Sequence, residues 1–242
     1  MTALSVLFIG FLLGLRHALD ADHIAAVAAL ATRSRSIQET IKTGIAWGIG
    51  HTVTLFGVCV VIIFSGIAFP EKIAGALEFI VGLILVGLGV DVILRIFRER
   101  IHIHTHSHRD KGSHLHFHSH KDEVVHESSA HDHEHPSTLP SRALAIGLMH
   151  GLAGSAALLL LTVNQQVSPS LAIVYLLLFG FGSILGMGFL SAAIAWPIQS
   201  SARRGTNLFK RFNILIGIGT AAIGSVVMFQ SYPNVVAVLT TL

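Results

Sequence analysis

Six apolar stretches dominate this sequence, and each is long enough to cross a bilayer core about 30 Å thick, which takes roughly 20 helical residues. They fall at about residues 3–30, 41–68, 73–96, 143–163, 171–198 and 212–232. In hydrocarbon every backbone N–H and C=O must be paired within its own segment, so such stretches become helices. The expected fold is an all-α membrane protein with six spans. Composition agrees: 52% of the 242 residues are hydrophobic and 12% are charged, where a soluble domain carries about 25% charged residues. Residues 235–242, after Pro233, are too few to span and read as a tail. No Lys or Arg precedes the first apolar run, so that run reads as a retained helix rather than a cleaved leader. The single cysteine, Cys59, sits in an apolar run and excludes an intrachain disulfide.

The basic residues alternate between connections. The first connection carries Arg33, Arg35 and Lys42, and the fifth carries Arg203, Arg204, Lys210 and Arg211. The third carries Arg98, Arg100, Arg109, Lys111, Lys121 and Arg142. The second has only Lys72, offset by Glu71, and the fourth (164–170) has none. The positive-inside rule then puts both termini outside and the first, third and fifth connections in the cytoplasm. It also accounts for the net charge of +3 without nucleic acid.

The chain repeats itself. Gly14-Leu15-Arg16-His17-Ala18-Leu19 resembles Gly147-Leu148-Met149-His150-Gly151-Leu152, Gly48-Ile49-Gly50-His51 resembles Gly180-Phe181-Gly182-Ser183, and Gly82 corresponds to Gly217. The offsets are 133, 132 and 135 residues. Each half holds three spans, an odd number, so the second half enters the membrane from the opposite face. This predicts a 3+3 inverted repeat with a site near the midplane. The organisation expected is 1–97 as the first repeat, 98–141 as a connecting loop and 142–242 as the second repeat. That loop holds twelve of the sixteen histidines, from His102 to His135. With few apolar residues it cannot bury enough surface to fold alone, and it reads as a disordered, cytoplasmic metal-binding tract.

Against this apolar background, Arg16-His17-Ala18-Leu19-Asp20-Ala21-Asp22-His23-Ile24 places five ionisable side chains in nine residues of the first span. Intramembrane charges are costly and mark polar pathways. Imidazole with carboxylate is a ligand set for a divalent first-row metal. At about 1.5 Å per residue, His17, His23, His51 and His150 all fall in one band around the midplane, as members of a common site would. On a regular helix, at about 100° per residue, His17 and Asp20 share a face while Asp22 and His23 point away. Either the first helix breaks here, or these residues are successive stations along a path. Arg16 and Asp20 stand at i,i+4; their pairing would make Asp20 structural and leave His17, Asp22 and His23 as ligands. His51 is read as a ligand or as an interhelical hydrogen bond to Thr52 or a carbonyl, and His150 as a ligand or a structural polar contact. Asp91 and Arg95 read as a boundary ion pair, Glu78 as an outer-end attractor of cations or an interfacial residue, and the Gly82 and Gly217 runs as packing surfaces.

The Arg16–Ile24 stretch closely resembles the His-x4-Asp-His signature of the nickel/cobalt transporter (NiCoT) family, and Gly50-His51-Thr52-Val53 is similar to that family's second histidine motif. The family commonly has eight spans with the signature in the second; here it lies in the first of six, as in the short urease-accessory-type nickel permeases. The resemblance implies uptake of Ni²⁺, or Co²⁺, across the cytoplasmic (inner) membrane, with His17, Asp22 and His23 as the signature's ligands and His51 from the second motif. The partners implied are the metal ion as transported substrate, the lipid bilayer, and a cytoplasmic nickel chaperone or urease and hydrogenase maturation proteins; no nucleic acid and no resident cofactor is expected. Efflux of the same ions, or a non-transporting membrane metal sensor or chaperone, are the competing readings. An enzyme is not expected, since neither an H-E-x-x-H nor a phosphate-binding motif is present.

Overall fold

A computed structural model describes residues 3–34, 36–65, 70–98, 102–108, 112–118, 140–153 and 168–240. Its helices are α1 (Ala3–His17), α2 (Ala21–Ala31), α3 (Ile37–Ser65), α4 (Glu71–Arg98), α5 (Ser141–Gly151), α6 (Pro169–Arg204) and α7 (Thr206–Leu239). Among the described residues, α3, α4, α6 and α7 are each long and apolar enough to cross a membrane, and α1 with α2 forms a bent pair that would make a fifth crossing. The count of six spans is therefore reached only in part. The fourth expected segment is described as far as Ala153, and its remainder lies outside the described residues. The expected C-terminal tail is corrected as well: α7 runs through Pro233 to Leu239 without interruption.

The first expected span is not one helix. It breaks after His17, and α2 leaves at 53° to α1. The cause is local. Asp20 adopts an extended backbone (φ −64°, ψ 147°) as the residue preceding α2, a position Asp favours, and Asp22 adds an acid to the first turn, where the helix dipole welcomes it. The amides of Leu19 and Asp20 close α1 on the carbonyls of Arg16 and His17 at 2.8 and 3.1 Å. The same pattern recurs 133 residues later. Leu152 and Ala153 close α5 on the carbonyls of Met149 and His150 at 3.3 and 3.1 Å. Both helices thus end at or one residue beyond their histidine.

The helices meet through glycine. A Cβ on Gly14 would overlap the Phe179 carbonyl oxygen, and one on Gly147 that of Trp47; a Cβ on Gly50 would overlap Leu144 O, and one on Gly182 Phe11 O. Across α4 and α7, a Cβ on Gly89 would lie 2.5 Å from Gly217 O, and one on Gly217 2.9 Å from Gly89 O. Gly82, Gly89, Gly217 and Gly224 form a packing surface, as the sequence suggests, while Gly87 and Gly219 meet nothing within 4 Å. α1 packs along α6 as α5 packs along α3, while α3 pairs with α6 and α4 with α7. Large side chains face outward instead: Phe8, Phe64, Phe97, Phe189, Trp196 and Phe229 are all exposed. Small residues inside and large apolar ones outside is the distribution expected where lipid is the solvent.

Polar contacts tie the helix ends. Arg33 donates to both carboxylate oxygens of Asp91 at 2.6 Å, joining the end of α2 to α4. The expected Asp91–Arg95 pair is present at 3.4 Å. Glu78 is half-buried and accepts from Ser231 at 3.4 Å. In the histidine-rich connection, where the sequence reading expects no regular structure, residues His102–His108 (β1) and Gly112–His118 (β2) pair as an antiparallel hairpin. The every-second-residue alternation of this tract is a strand period, which a reading based on low apolar content alone passes over. Residues 119–139 lie outside the described residues.

Gly50→Ala and Gly182→Ala should each destabilise the protein by roughly 1–3 kcal/mol through backbone displacement. Gly57→Ala, where a Cβ meets nothing within 4 Å, should be neutral or slightly stabilising. Thermal unfolding in detergent, followed by tryptophan fluorescence, distinguishes the two cases.

Candidate metal centre

The break after α1 bends the chain by 53° and brings together side chains that a straight helix would scatter. His17 from the end of α1, His23 from the first turn of α2, His51 from mid-α3 and His150 from the end of α5 converge. All four are buried, at 7%, 1%, 1% and 4% exposure. The ring centroids of His23 lie 4.5 Å from His17, 5.1 Å from His51 and 4.6 Å from His150. His23 is the hub.

Two groups could each hold an ion, and both use His23. In His17, His23 and His51, one nitrogen of each lies within 4.8 Å of the others, and the same is true of one ligand atom each from Asp22, His23 and His150. The hydrogen bonds rank them. His17 Nδ1 donates to Asp20 Oδ2 at 2.8 Å, and His23 Nδ1 donates to Asp22 Oδ1 at 3.0 Å. A carboxylate on Nδ1 fixes the proton there and leaves the Nε2 lone pair free for a metal, the usual arrangement behind metal-binding histidines. His17 Nε2 lies 3.1 Å from His51 Nε2. Two nitrogens each about 2.0–2.1 Å from one divalent ion, at right angles, are about that far apart. His23 Nε2 is buried with no hydrogen-bond partner, a costly arrangement unless something else occupies it. With two of its rings held by carboxylates and the Nε2 atoms of His17 and His51 side by side, the His17, His23 and His51 group is the better prepared. Asp22 Oδ2 also accepts from His150 Nε2 at 2.8 Å, so Asp22 bridges His23 and His150.

Every residue expected at the site from sequence is in this cluster: His17, Asp20, Asp22, His23, His51 and His150. The pairing of one acid differs from the expectation. Asp20 pairs with His17, and no ion pair joins it to Arg16 among the described residues; the i,i+4 argument assumed an unbroken helix. Asp22 contacts two imidazoles from the side. His51 faces His17, while Thr52 donates to Gly180 O at 3.3 Å. Asp20 is half-exposed, the most open of the six side chains.

Two aromatic residues of the site escaped the sequence reading. Trp47 lies 5.2 Å from His23 and 5.3 Å from His150, and Phe179 lies 5.4 Å from His17, between ring centroids. They stand 132 residues apart, each one position before the matched Gly48 and Gly180. Extending the repeat by one residue finds both.

The family model of high-affinity nickel-transport proteins (NicO) matches residues 3–228. The chain belongs to this family. A urease accessory protein, UreH, of Bacillus sp. (strain TB-90) is 36% identical over 209 residues, which cover 83% of this chain and 81% of that relative. No solved structure matches. A member of the nickel-transport family whose apolar helices are long enough to span is a multi-pass membrane transporter and not an enzyme.

His17→Ala, His23→Ala and His51→Ala should each remove measurable nickel binding from the detergent-solubilised protein. Asp20→Asn and Asp22→Asn should weaken it by roughly 10–100-fold, the usual effect of losing the carboxylate behind a metal-binding histidine. Titration calorimetry reads both classes, and equal effects of all five would contradict the division of roles.

Proposed function

We propose that the protein imports Ni²⁺ across the cytoplasmic membrane, with His17, His23 and His51 as the ion's ligands near the midplane. Asp20 and Asp22 hold two of those rings in the metal-binding tautomer. Asp22 with His150 is a second station, reached by rotating the shared His23 contact from one group to the other. The observation that carries this reading is the buried, unpartnered His23 Nε2 between two sets of metal-ligating groups in a nickel-transport family member. The half-exposed Asp20 is the side from which the ion reaches His17. Co²⁺ has the same charge and ligand preferences and is the expected second substrate.

Two further readings belong to this proposal. The first is a six-span, 3+3 inverted architecture with both termini outside. The matched helix ends at His17 and His150, and the glycine contacts that recur about 133 residues apart, support it. The second is the cytoplasmic placement of the 98–141 connection, where its histidines would take up arriving metal and hold it for a nickel chaperone or urease and hydrogenase maturation proteins. The urease accessory naming of the relative supports such a handover.

The driving force suffices without a coupling ion. Each charge crossing 100 mV gains about 2.3 kcal/mol, so a divalent cation moving inward gains about 4.6 kcal/mol, roughly a thousandfold accumulation. In proteoliposomes of known orientation, an inside-negative potential should drive radioactive nickel inward, and collapsing it with valinomycin and potassium should stop accumulation. Flux that ignores the potential, or runs only outward, would overturn the import reading. Deleting residues 101–135 should leave most of the flux intact.

A further inference from the structure

The seam between α3 and α6 changes character at the metal centre. On one side it is apolar: Leu55, Cys59, Leu176 and Phe179 form a closed cluster. On the other, toward Lys42 and Arg204, α6 presents Ser183, Met187 and Ser191, four residues apart and each fully buried. Neither Ser183 Oγ nor Ser191 Oγ has a hydrogen-bond partner. A serine or threonine within a helix ordinarily donates to the carbonyl four residues back. Ser225, Ser231 and Thr54 do so here, at 2.9, 2.8 and 3.0 Å. Two hydroxyls that forgo this bond inside a membrane protein call for another partner.

What faces Met187 and Ser191 is nearly bare backbone. A Cβ on Gly44 would overlap Ser191 Oγ, and one on Gly48 would lie 3.3 Å from Met187 Cγ. The stripe also begins at the metal centre, since Phe179, one turn before Ser183, sits against His17.

We propose that this face is the route by which the metal leaves the centre toward the end marked by Lys42 and Arg204, with Ser183 Oγ, Met187 Sδ and Ser191 Oγ as transient ligands. The inference rests on the transport reading above and names the path that reading leaves open. Conduction needs sites that bind well enough to accept an ion and weakly enough to release it. Neutral hydroxyl and thioether donors, following a three-imidazole site, meet that need; a carboxylate in their place would trap a divalent ion. Ser183 to Ser191 covers about 12 Å of helix rise. The close approach of Gly44 and Gly48 shuts the seam in this state, so passage requires α3 and α6 to part, while the apolar cluster on the opposite side resists a cation whichever way the seam opens.

The test compares flux with equilibrium binding. In proteoliposomes the Ser183→Ala/Ser191→Ala protein should carry nickel about tenfold more slowly than the unmodified protein, with nickel binding in detergent unchanged. Flux equal to that of the unmodified protein overturns the proposal, and so does a loss of flux matched by an equal loss of binding. Independently, Ser191→Cys in a Cys59→Ala background should react with a small methanethiosulfonate supplied from the Lys42 side during nickel flux, and saturating nickel should slow the reaction. A cysteine that stays unreactive during flux overturns it as well. If the unmodified protein moves no nickel, the transport reading itself fails, a result seen before any variant is compared.

Discussion

The structure depends on one constraint: polar groups buried away from water must find partners. An imidazole in hydrocarbon is costly alone, and four of them with two carboxylates would be prohibitive if scattered. Bringing His17, His23, His51 and His150 together gives each ring one partner, another ring or a carboxylate, while His23 Nε2 and His51 Nδ1 stay without one. The break between α1 and α2 makes this convergence accessible. It costs the continuous hydrogen bonding of a straight span, part of which the amides of Leu19 and Asp20 recover by bonding the carbonyls of Arg16 and His17.

Close helix packing follows from the same need. Each histidine must reach across to a neighbouring helix, and glycine at the crossing brings the backbones near enough. Gly147 lies against Trp47, and Gly151 against His51, so the end of α5 that carries His150 is pressed onto α3. Gly14 and Gly182 do the corresponding work between α1 and α6. In an apolar solvent no hydrophobic force drives these helices together, so close backbone contact and the polar cluster carry the association.

Much of this was legible in advance. Apolar length identifies helices, and the matched glycine and histidine segments point to the contacts between them. The depth of four histidines in one band pointed to where they converge, and the helical-wheel conflict between His17 and His23 left a break or a path of stations, of which the structure displays the break. Where the reading departed, the cause was a regular helix assumed too far. The i,i+4 geometry assigned Asp20 to Arg16, but the broken backbone gives Asp20 to His17. Pro233 seemed to mark the start of a tail, yet α7 continues past it to Leu239. The hairpin at 102–118 was hidden by composition, since a histidine alternation carries no apolar face from which to read a strand.

By itself the sequence determined that this chain is helical in a membrane, and it singled out histidine and aspartate within the apolar segments as the candidate site. Those conclusions need only the length of apolar runs and the cost of burying charge. The tertiary structure alone decided which nitrogen faces which partner. It made His23 the shared member of two candidate groups, put Asp20 against His17 and Asp22 against His23 and His150, and placed Trp47 and Phe179 beside them. Such roles depend on distances between helices far apart in sequence, which no local spacing encodes.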